Sequence, residues 1–578
     1  MKKVMLFLIV FATFATMLAS GEEVVTPGKA SANHRCILPK YSSPVNYDVV
    51  LAGNFGEPRP NHFHGGVDVK TGGVEGKPIF SISGGYVLMV TIGLMGFGNA
   101  VYVHHPEGYT SVYCHLKKFS PLIETMVRKQ QYQKQTAEGE FHFRPSDLPV
   151  AEGQFIAISG NTGASTAPHL HLEIHDTKSW DMLDPLDFIG HHLIDGLPPQ
   201  GHALMVYPQE GEGVFAGGTI QQSIGLSSHE LQRHYSAWGK VGFGIWSNDY
   251  MEATYNHYGI RRMELYVDDQ QVFSSDVSGI PVRQNMQVNA WGDYDHYLRS
   301  HVWYMKAFVE PGVSLPILKT DNSRGYVCFD EEREYHLCFV LTDFKGNVSR
   351  YSFTVDGKRV EIPRKPLFQT KHVLRHDQLN NVFLPGMQLL VRPQMMGKNT
   401  PYRPKVMHQP QDYSDAYQLS EKSFQLFDYQ PISLRVNNNN NKVEDTSKLY
   451  VVCHWGNDKY MGGTYHDGWV TGRARELGAV YELAYDDQPP TVQFLGLATL
   501  RGQKVVRFSV NDSKSGLLSY SGTIDGEFVL FEPVAKSSTV ECRLRHSSVK
   551  PTGGLRTLTF TAEDNRHNKK TITTKITY

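Results

Sequence analysis

In the stretch Pro168-His169-Leu170-His171-Leu172-Glu173-Ile174, two histidines and a glutamate stand two residues apart. Side chains alternate across a β-strand, so His169, His171 and Glu173 share one face while Leu170, Leu172 and Ile174 share the other. Such a strand packs its aliphatic face inward and presents two imidazoles about 7 Å apart, a spacing that suits a metal and a neighbouring base. About a hundred residues earlier, Asn61-His62-Phe63-His64-Gly65-Gly66-Val67-Asp68 offers His64 and Asp68, with a glycine pair that lets the backbone bring both side chains together. Together the two stretches have the make-up of a zinc site. A lone His-x-His in a chain with 26 histidines is more often a solvated strand face. A third stretch, Ser111-Val112-Tyr113-Cys114-His115-Leu116, shifts that balance. Its alternation predicts Tyr113 and His115 on one face and Val112, Cys114 and Leu116 on the other.

These segments resemble a known family, the lysostaphin-type or LytM-like zinc peptidases. The resemblance rests on His64-x-x-x-Asp68, on Tyr113-x-His115-Leu116 and on the run Gly160-Asn161-Thr162-Gly163-Ala164-Ser165-Thr166-Ala167-Pro168 before the His169/His171 pair. It covers about residues 46–190, with Asp184-Pro185-Leu186 following the second histidine. His62 and His64 are two apart and either could reach a metal; the family pattern places the ligand four residues before the aspartate, which selects His64. The resemblance then implies Zn2+ held by His64, Asp68 and His171, with His115 and His169 as the non-ligand catalytic pair. His62 falls on the rim or against substrate. Glu173 is expected to orient a ligand imidazole, and Tyr113 either donates to the tetrahedral intermediate or lines the groove. Two imidazoles and one carboxylate leave a coordination position open, as a catalytic zinc site requires.

The implied substrate is a peptide bond of bacterial peptidoglycan, within or between stem peptides. The Asn-His-Phe-His variant and the β-rich remainder resemble peptidases of Bacteroidetes-like bacteria, which favours a direct D-alanyl crosslink over a glycine bridge. Two other classes remain open: a metal-free relative that binds the wall or activates another hydrolase, and an adhesion scaffold dominated by its β-modules. The presence of His64, Asp68, His115, His169 and His171 weighs against the former.

The chain begins with basic Met1-Lys2-Lys3, an apolar Val4 to Leu18 and small Ala19-Ser20-Gly21, the pattern of a secretory signal over residues 1–21. This predicts export to the periplasm or cell envelope, with an uncleaved anchor as the alternative. The apolar run falls short of the roughly 20 residues a membrane span needs. With 57 basic and 58 acidic residues there is no electrostatic footprint for nucleic acid. Six cysteines without a C-x-x-C pair argue against a disulfide scaffold; Cys328 and Cys338 are either a disulfide or free thiols.

The 578 residues exceed a single core. Short alternating runs separated by turn residues predict a mainly β chain: an antiparallel-sheet peptidase domain at 40–195, immunoglobulin-like β-sandwich modules at 202–362 and 488–578, and a β-rich block of unassigned type at 367–486. All five site residues precede residue 172, so a chain ended near residue 195 is expected to keep zinc. The two modules read as copies of one another. Gly259 to Asp269 parallels Gly516 to Gly526, and Asp343-Phe344-Lys345-Gly346-Asn347 parallels Asp564-Asn565-Arg566-His567-Asn568. The polar run Asn437 to Asn441 reads as a loop, and Lys117 to Val150 as a long excursion that either shapes the groove or is solvated. His229 and His234 are five apart, which turns them about 140° from each other on a helix and excludes a shared metal. His104-His105 reads as a strand-end pair.

Overall fold

The computed structural model describes residues 38–364, 372–437, 443–500 and 503–578. The expected signal segment, Cys36 and most of the Asn437 to Asn441 run lie outside them. No helix of the described residues is long and apolar enough to cross a membrane.

Alternation decides the first sheet. Seven segments, β1 (Leu51–Gly53), β2 (Val67–Lys70), β3 (Gly85–Ile92), β4 (Ala100–His104), β5 (Tyr109–Cys114), β6 (Gly139–His142) and β7 (His169–Asp176), pair in the order β1-β2-β7-β5-β4-β3-β6. Every pairing along this path is antiparallel. On one face Leu170, Leu172, Val67, Val69, Val101 and Val103 are fully buried. The opposite face carries His169, His171, Glu173 and His175 on β7, and the sheet order places Asp68 on the neighbouring β2.

The residues after 195 fold as further β structure. Strands between Gln200 and Gly357 form one ten-stranded sheet, closed by a parallel pairing of Tyr235–Ala237 with Val355–Gly357. Residues 372–486 build two five-stranded sheets around one core, and the C-terminal block packs two four-stranded sheets through Phe508, Phe560 and Leu558. The repeat seen in sequence recurs in structure. Asp343 accepts from the backbone N–H groups of Lys345, Gly346 and Asn347, and Asp564 accepts from those of Arg566 and Asn568.

Packing crosses the boundary drawn at 195–202. Phe55, Phe63 and Met182 belong to the same apolar core as Phe243, Leu265 and Trp291, and Gly279–Ile280 pairs with Met182–Leu183. Arg261 reaches Asp184 at 2.6 Å and Asp187 at 3.1 Å. The excursion from Lys117 to Val150 carries secondary structure of its own. It forms helix α1 (Pro121–Lys134), started by a proline in the first turn, and then β6. It also docks on the C-terminal block: Tyr132 Oη donates to the His546 carbonyl at 3.0 Å and Tyr520 Oη to Glu138 at 2.8 Å. Lys536 of that block donates to the Gly163 carbonyl at 2.6 Å, next to the candidate site.

The five cysteines among the described residues are free thiols. Cys328 faces Lys240 while Cys338 faces Tyr266 and Ser352, so the two never meet. His229 and His234 are exposed and separate, one against Tyr351 and the other 3.4 Å from Asp356. His105 is a satisfied core residue between the Gly84 carbonyl and Ser111 Oγ, both at 2.8 Å.

Candidate metal centre

The register of three strands assembles the cluster. His171 on β7 lies directly opposite Asp68 on β2, and directly opposite residues on an antiparallel pair put their side chains on the same face about 5 Å apart. Gly65 and Gly66 let this happen by close approach, not by a left-handed turn, since neither has a positive φ. A Cβ on Gly66 would sit 2.2 Å from the Leu172 carbonyl oxygen, and one on Gly65 would sit 2.6 Å from Glu173 Oε1. The result brings three ligand-type atoms together. His64 Nε2 lies 3.0 Å from Asp68 Oδ1 and 3.0 Å from His171 Nδ1, and His171 Nδ1 lies 2.8 Å from Asp68 Oδ1.

In a tetrahedral zinc site ligands at about 2.1 Å stand about 3.4 Å from one another, so these three atoms need spread only about half an ångström to hold the ion. The hydrogen bonds behind each ring fit as well. The His64 Nδ1–H donates to the Asn54 carbonyl at 2.6 Å, leaving Nε2 free to face the cluster. The His171 Nε2–H donates to Glu173 Oε1 at 2.9 Å, leaving Nδ1 free. Such outer partners fix the tautomer and raise the basicity of a metal-binding imidazole. Asp68 is held from its far side, where Oδ2 accepts from Arg59 Nη2 at 2.8 Å.

Two more imidazoles border this cluster. His115 and His169 lie with ring centroids 4.9 Å apart. Each donates its Nδ1–H to a backbone carbonyl, His115 to Thr162 at 2.9 Å and His169 to Ala167 at 2.8 Å. Each therefore keeps Nε2 available, and that of His169 lies 3.3 Å from Asp68 Oδ1. These nitrogens can accept or return a proton beside the three-atom cluster.

The charges are strongly coupled. Burial pushes His64 down to about 4 against the opposing pull of Asp68. Burial, reinforced by the neighbouring His171 and His169, pushes His115 down to about 3 and keeps it neutral. Burial also disfavours a charged His171, but the hydrogen bonds to Asp68 and Glu173 outweigh it and carry the ring up to about 9. Asp68 and Glu173 are held well below the usual carboxylate range: their imidazole partners outweigh a burial effect of the opposite sign. The cluster without a cation thus carries a proton on His171, which a cation at Nδ1 would displace.

His64, Asp68, His115, His169, His171 and Glu173 stand together in the fold. His62 is exposed on the rim, its ring against the Pro60 carbonyl at 3.0 Å. Tyr113 is a correction. It lies opposite Leu172 on the core face of the sheet, fully buried, with its hydroxyl bonded to the Ile82 N–H and Ser111 Oγ. The reason is local. His115 adopts a left-handed φ of 60° between β5 and the strand Leu116–Phe119, so alternation breaks there and His115 turns onto the face opposite to Tyr113. Sequence reasoning missed Asn54, Arg59 and His175. The last continues the alternation of β7 and sits 2.6 Å from Glu173 Oε2, so it was visible in the spacing.

Comparison with known proteins identifies two regions of the chain. The model of peptidase family M23 matches residues 62–136, and that of a Zu5-like domain matches residues 371–486. The lipoprotein NlpD of Yersinia enterocolitica is 31% identical over 102 residues, which are 18% of this chain and 80% of that protein. The chain belongs to peptidase family M23. An uncharacterized metalloprotease of Haemophilus influenzae is 34% identical over 112 residues, 19% of this chain and 18% of the relative. The peptidoglycan DD-endopeptidase ShyA of Vibrio cholerae is 33% identical over 99 residues, 17% of each chain. The chain thus spans under a fifth of the length of these two relatives. In this M23 protein the family match ends before β7, and the sheet register sets His171 opposite Asp68.

Proposed function

We propose that this chain is an exported zinc-dependent endopeptidase that hydrolyses peptide bonds in peptidoglycan stem peptides or crosslinks. The observation that carries the reading is the convergence of His64 Nε2, Asp68 Oδ1 and His171 Nδ1 within 3.0 Å of one another, beside two histidines with anchored Nδ1 atoms. His64, Asp68 and His171 would hold the ion. Zinc bound there supplies Lewis acidity for a water and for a substrate carbonyl.

The chain's own groups supply the rest. His115, kept neutral by burial, has a free Nε2 that can take a proton from the attacking water. Having taken that proton, His115 can return it to the leaving amine. His169 presents its Nε2 on the same side as a second acceptor for a proton of the water and, once it carries one, as a donor to the oxygen that becomes negative. Thr162 and Ala167 fix the two rings through their carbonyls. Glu173 and Asn54 hold the ligand rings from behind. Phe97, stacked at 6.0 Å on His171, forms a partly exposed apolar lip for substrate. The name of the Vibrio relative, a peptidoglycan DD-endopeptidase, supports a peptidoglycan peptide bond as the target.

The test is turnover of crosslinked muropeptides by the full chain, with and without chelator. The proposal requires release of uncrosslinked stems that stops on chelation and resumes with zinc. A zinc-loaded chain that leaves crosslinks intact contradicts it.

A further inference from the structure

A second cluster lies at the seam between the M23 region and the ten-stranded sheet that follows. Carboxylate oxygens of Asp195, Asp249 and Asp343 all lie within 4.8 Å of one another. Asp195 ends the first region, Asp249 follows the strand Tyr235–Asn248, and Asp343 opens the turn to the strand Val348–Gly357. Asp343 is satisfied: Oδ1 accepts three backbone N–H groups and Oδ2 accepts from Asn347 Nδ2 at 2.7 Å. Asp249 is the anomaly. It is 1% exposed, and its Oδ1 is buried without a hydrogen-bond partner. Asp195 Oδ2 is likewise buried and unpartnered, while its Oδ1 accepts from the Leu197 N–H. A buried carboxylate oxygen without a donor is costly, and a second unpartnered one beside it compounds the cost.

The nearby cation favours a charged Asp195 but supplies neither missing hydrogen bond. Lys345 Nζ is turned to the Gly190 carbonyl at 2.8 Å. Glu252, which accepts from the Gly196 N–H at 3.0 Å, adds a further negative charge beside Asp195. Burial first, then the charges of Asp195 and Asp343, push the Asp249 carboxyl up to about 8.

The C-terminal block provides an internal control. Asp486, Asp512 and Asp564 stand in the same order: one precedes the module, one follows the asparagine that ends a long strand, and one opens the Asp-x-x-x-Asn turn. There the donors are in place. Ser515 N–H donates to Asp486 Oδ2 at 3.2 Å and Gly516 N–H to Asp512 Oδ1 at 2.6 Å. The same scaffold thus exists with its carboxylates satisfied by backbone, and with two oxygens left over.

We infer that Asp195, Asp249 and Asp343 hold a calcium-type divalent cation that fastens the M23 region to the following module. The donors are all hard oxygens, the preference of calcium, which takes six to eight oxygen ligands in flexible geometry. Waters complete the shell from the partly exposed Asp195 side. The site shares no residue with the His64 cluster.

The test uses the full zinc-loaded chain, stripped of other divalent cations on a chelating resin and titrated with calcium chloride by calorimetry and thermal melting. Wild type is expected to bind calcium and to melt higher with it. Asp249→Asn keeps the shape and removes the charge, so it should take up one calcium ion fewer per chain, lose the calcium-dependent rise in Tm, and melt no lower than wild type without calcium. Asp195→Asn should weaken calcium binding at least tenfold, and Asp512→Asn should leave uptake unchanged. Zinc content should be the same in all. A wild-type chain that binds no calcium overturns the inference, as does Asp249→Asn taking up as many ions as wild type.

Discussion

Glu173→Ala removes the group that holds His171 from behind while leaving the three cluster atoms in place. Glu173 is 4% exposed; its Oε1 accepts from His171 at 2.9 Å, and its Oε2 lies 2.6 Å from His175 Nε2. Without it, His171 loses both the acceptor that selects its tautomer and the negative charge that raises its basicity. Loss of such a partner costs about 10–100-fold in metal affinity, which is about 1.4–2.8 kcal/mol. Glu173→Gln retains an oxygen acceptor of the same shape, so its loss should stay near the lower end. The assay is competition for zinc against a chelator of known affinity, with thermal melting to confirm that both variants fold. If the folded Glu173→Ala chain holds zinc as tightly as wild type, the outer hydrogen bond is not what orients the ligand.

Gly66→Ala should lower Tm and empty the zinc site together, at a cost of about 1–3 kcal/mol from overpacking, because its Cβ would meet the Leu172 carbonyl at 2.2 Å; unchanged zinc content would contradict the close-approach account. A chain ended near residue 195 uncovers Phe63 and Met182, which are 0% and 4% exposed in the whole. Losing about 1.5–3 kcal/mol per uncovered side chain, it should melt well below the intact chain and hold zinc poorly, reversing the expectation from sequence; equal Tm and zinc content would restore that expectation. Burial pushes Glu310 up, but Lys306 and Lys398 outweigh it and hold the carboxyl down at about 2. Its folded pKa thus lies below the unfolded value of about 4.3, so its contribution, on the order of 3 kcal/mol, is present above about pH 4.3 and lost as pH falls toward 2. Glu310→Gln should show a shallower acid loss of stability over that window, read from denaturant melts at each pH; parallel wild-type and variant curves would refute it.

The shared face of β7 was legible because period-two alternation is a local property: His169, His171 and Glu173 follow from backbone geometry once β7 is a strand. The same rule failed at Tyr113, because a single left-handed residue at His115 reverses the faces, and no composition signal marks a non-glycine residue in that conformation. Asn54 contributes a backbone carbonyl and Arg59 a long side chain to the site. Contacts of that kind depend on where loops meet in space, and neither follows a period. The domain boundary near residue 195 was readable as a composition change, yet Phe63 and Met182 pack into the next module's core, and shared cores leave no mark in linker composition. The repeated acidic turns at Asp343 and Asp564 were readable as motifs; that one acidic triad lacks donors was not.

The most direct measurement is zinc content beside turnover of a crosslinked muropeptide for Ala variants of His62, His64, Asp68, His115, His169 and His171 in the full chain. His64, Asp68 and His171 variants should lose zinc and activity together. His115 and His169 variants should keep about one zinc ion per chain and lose on the order of 100-fold or more in rate, and the His62 variant should lose little zinc. Loss of zinc in the His62 variant with retention in the His64 variant would contradict the ligand set, and full activity in the His115 and His169 variants would contradict the division of roles.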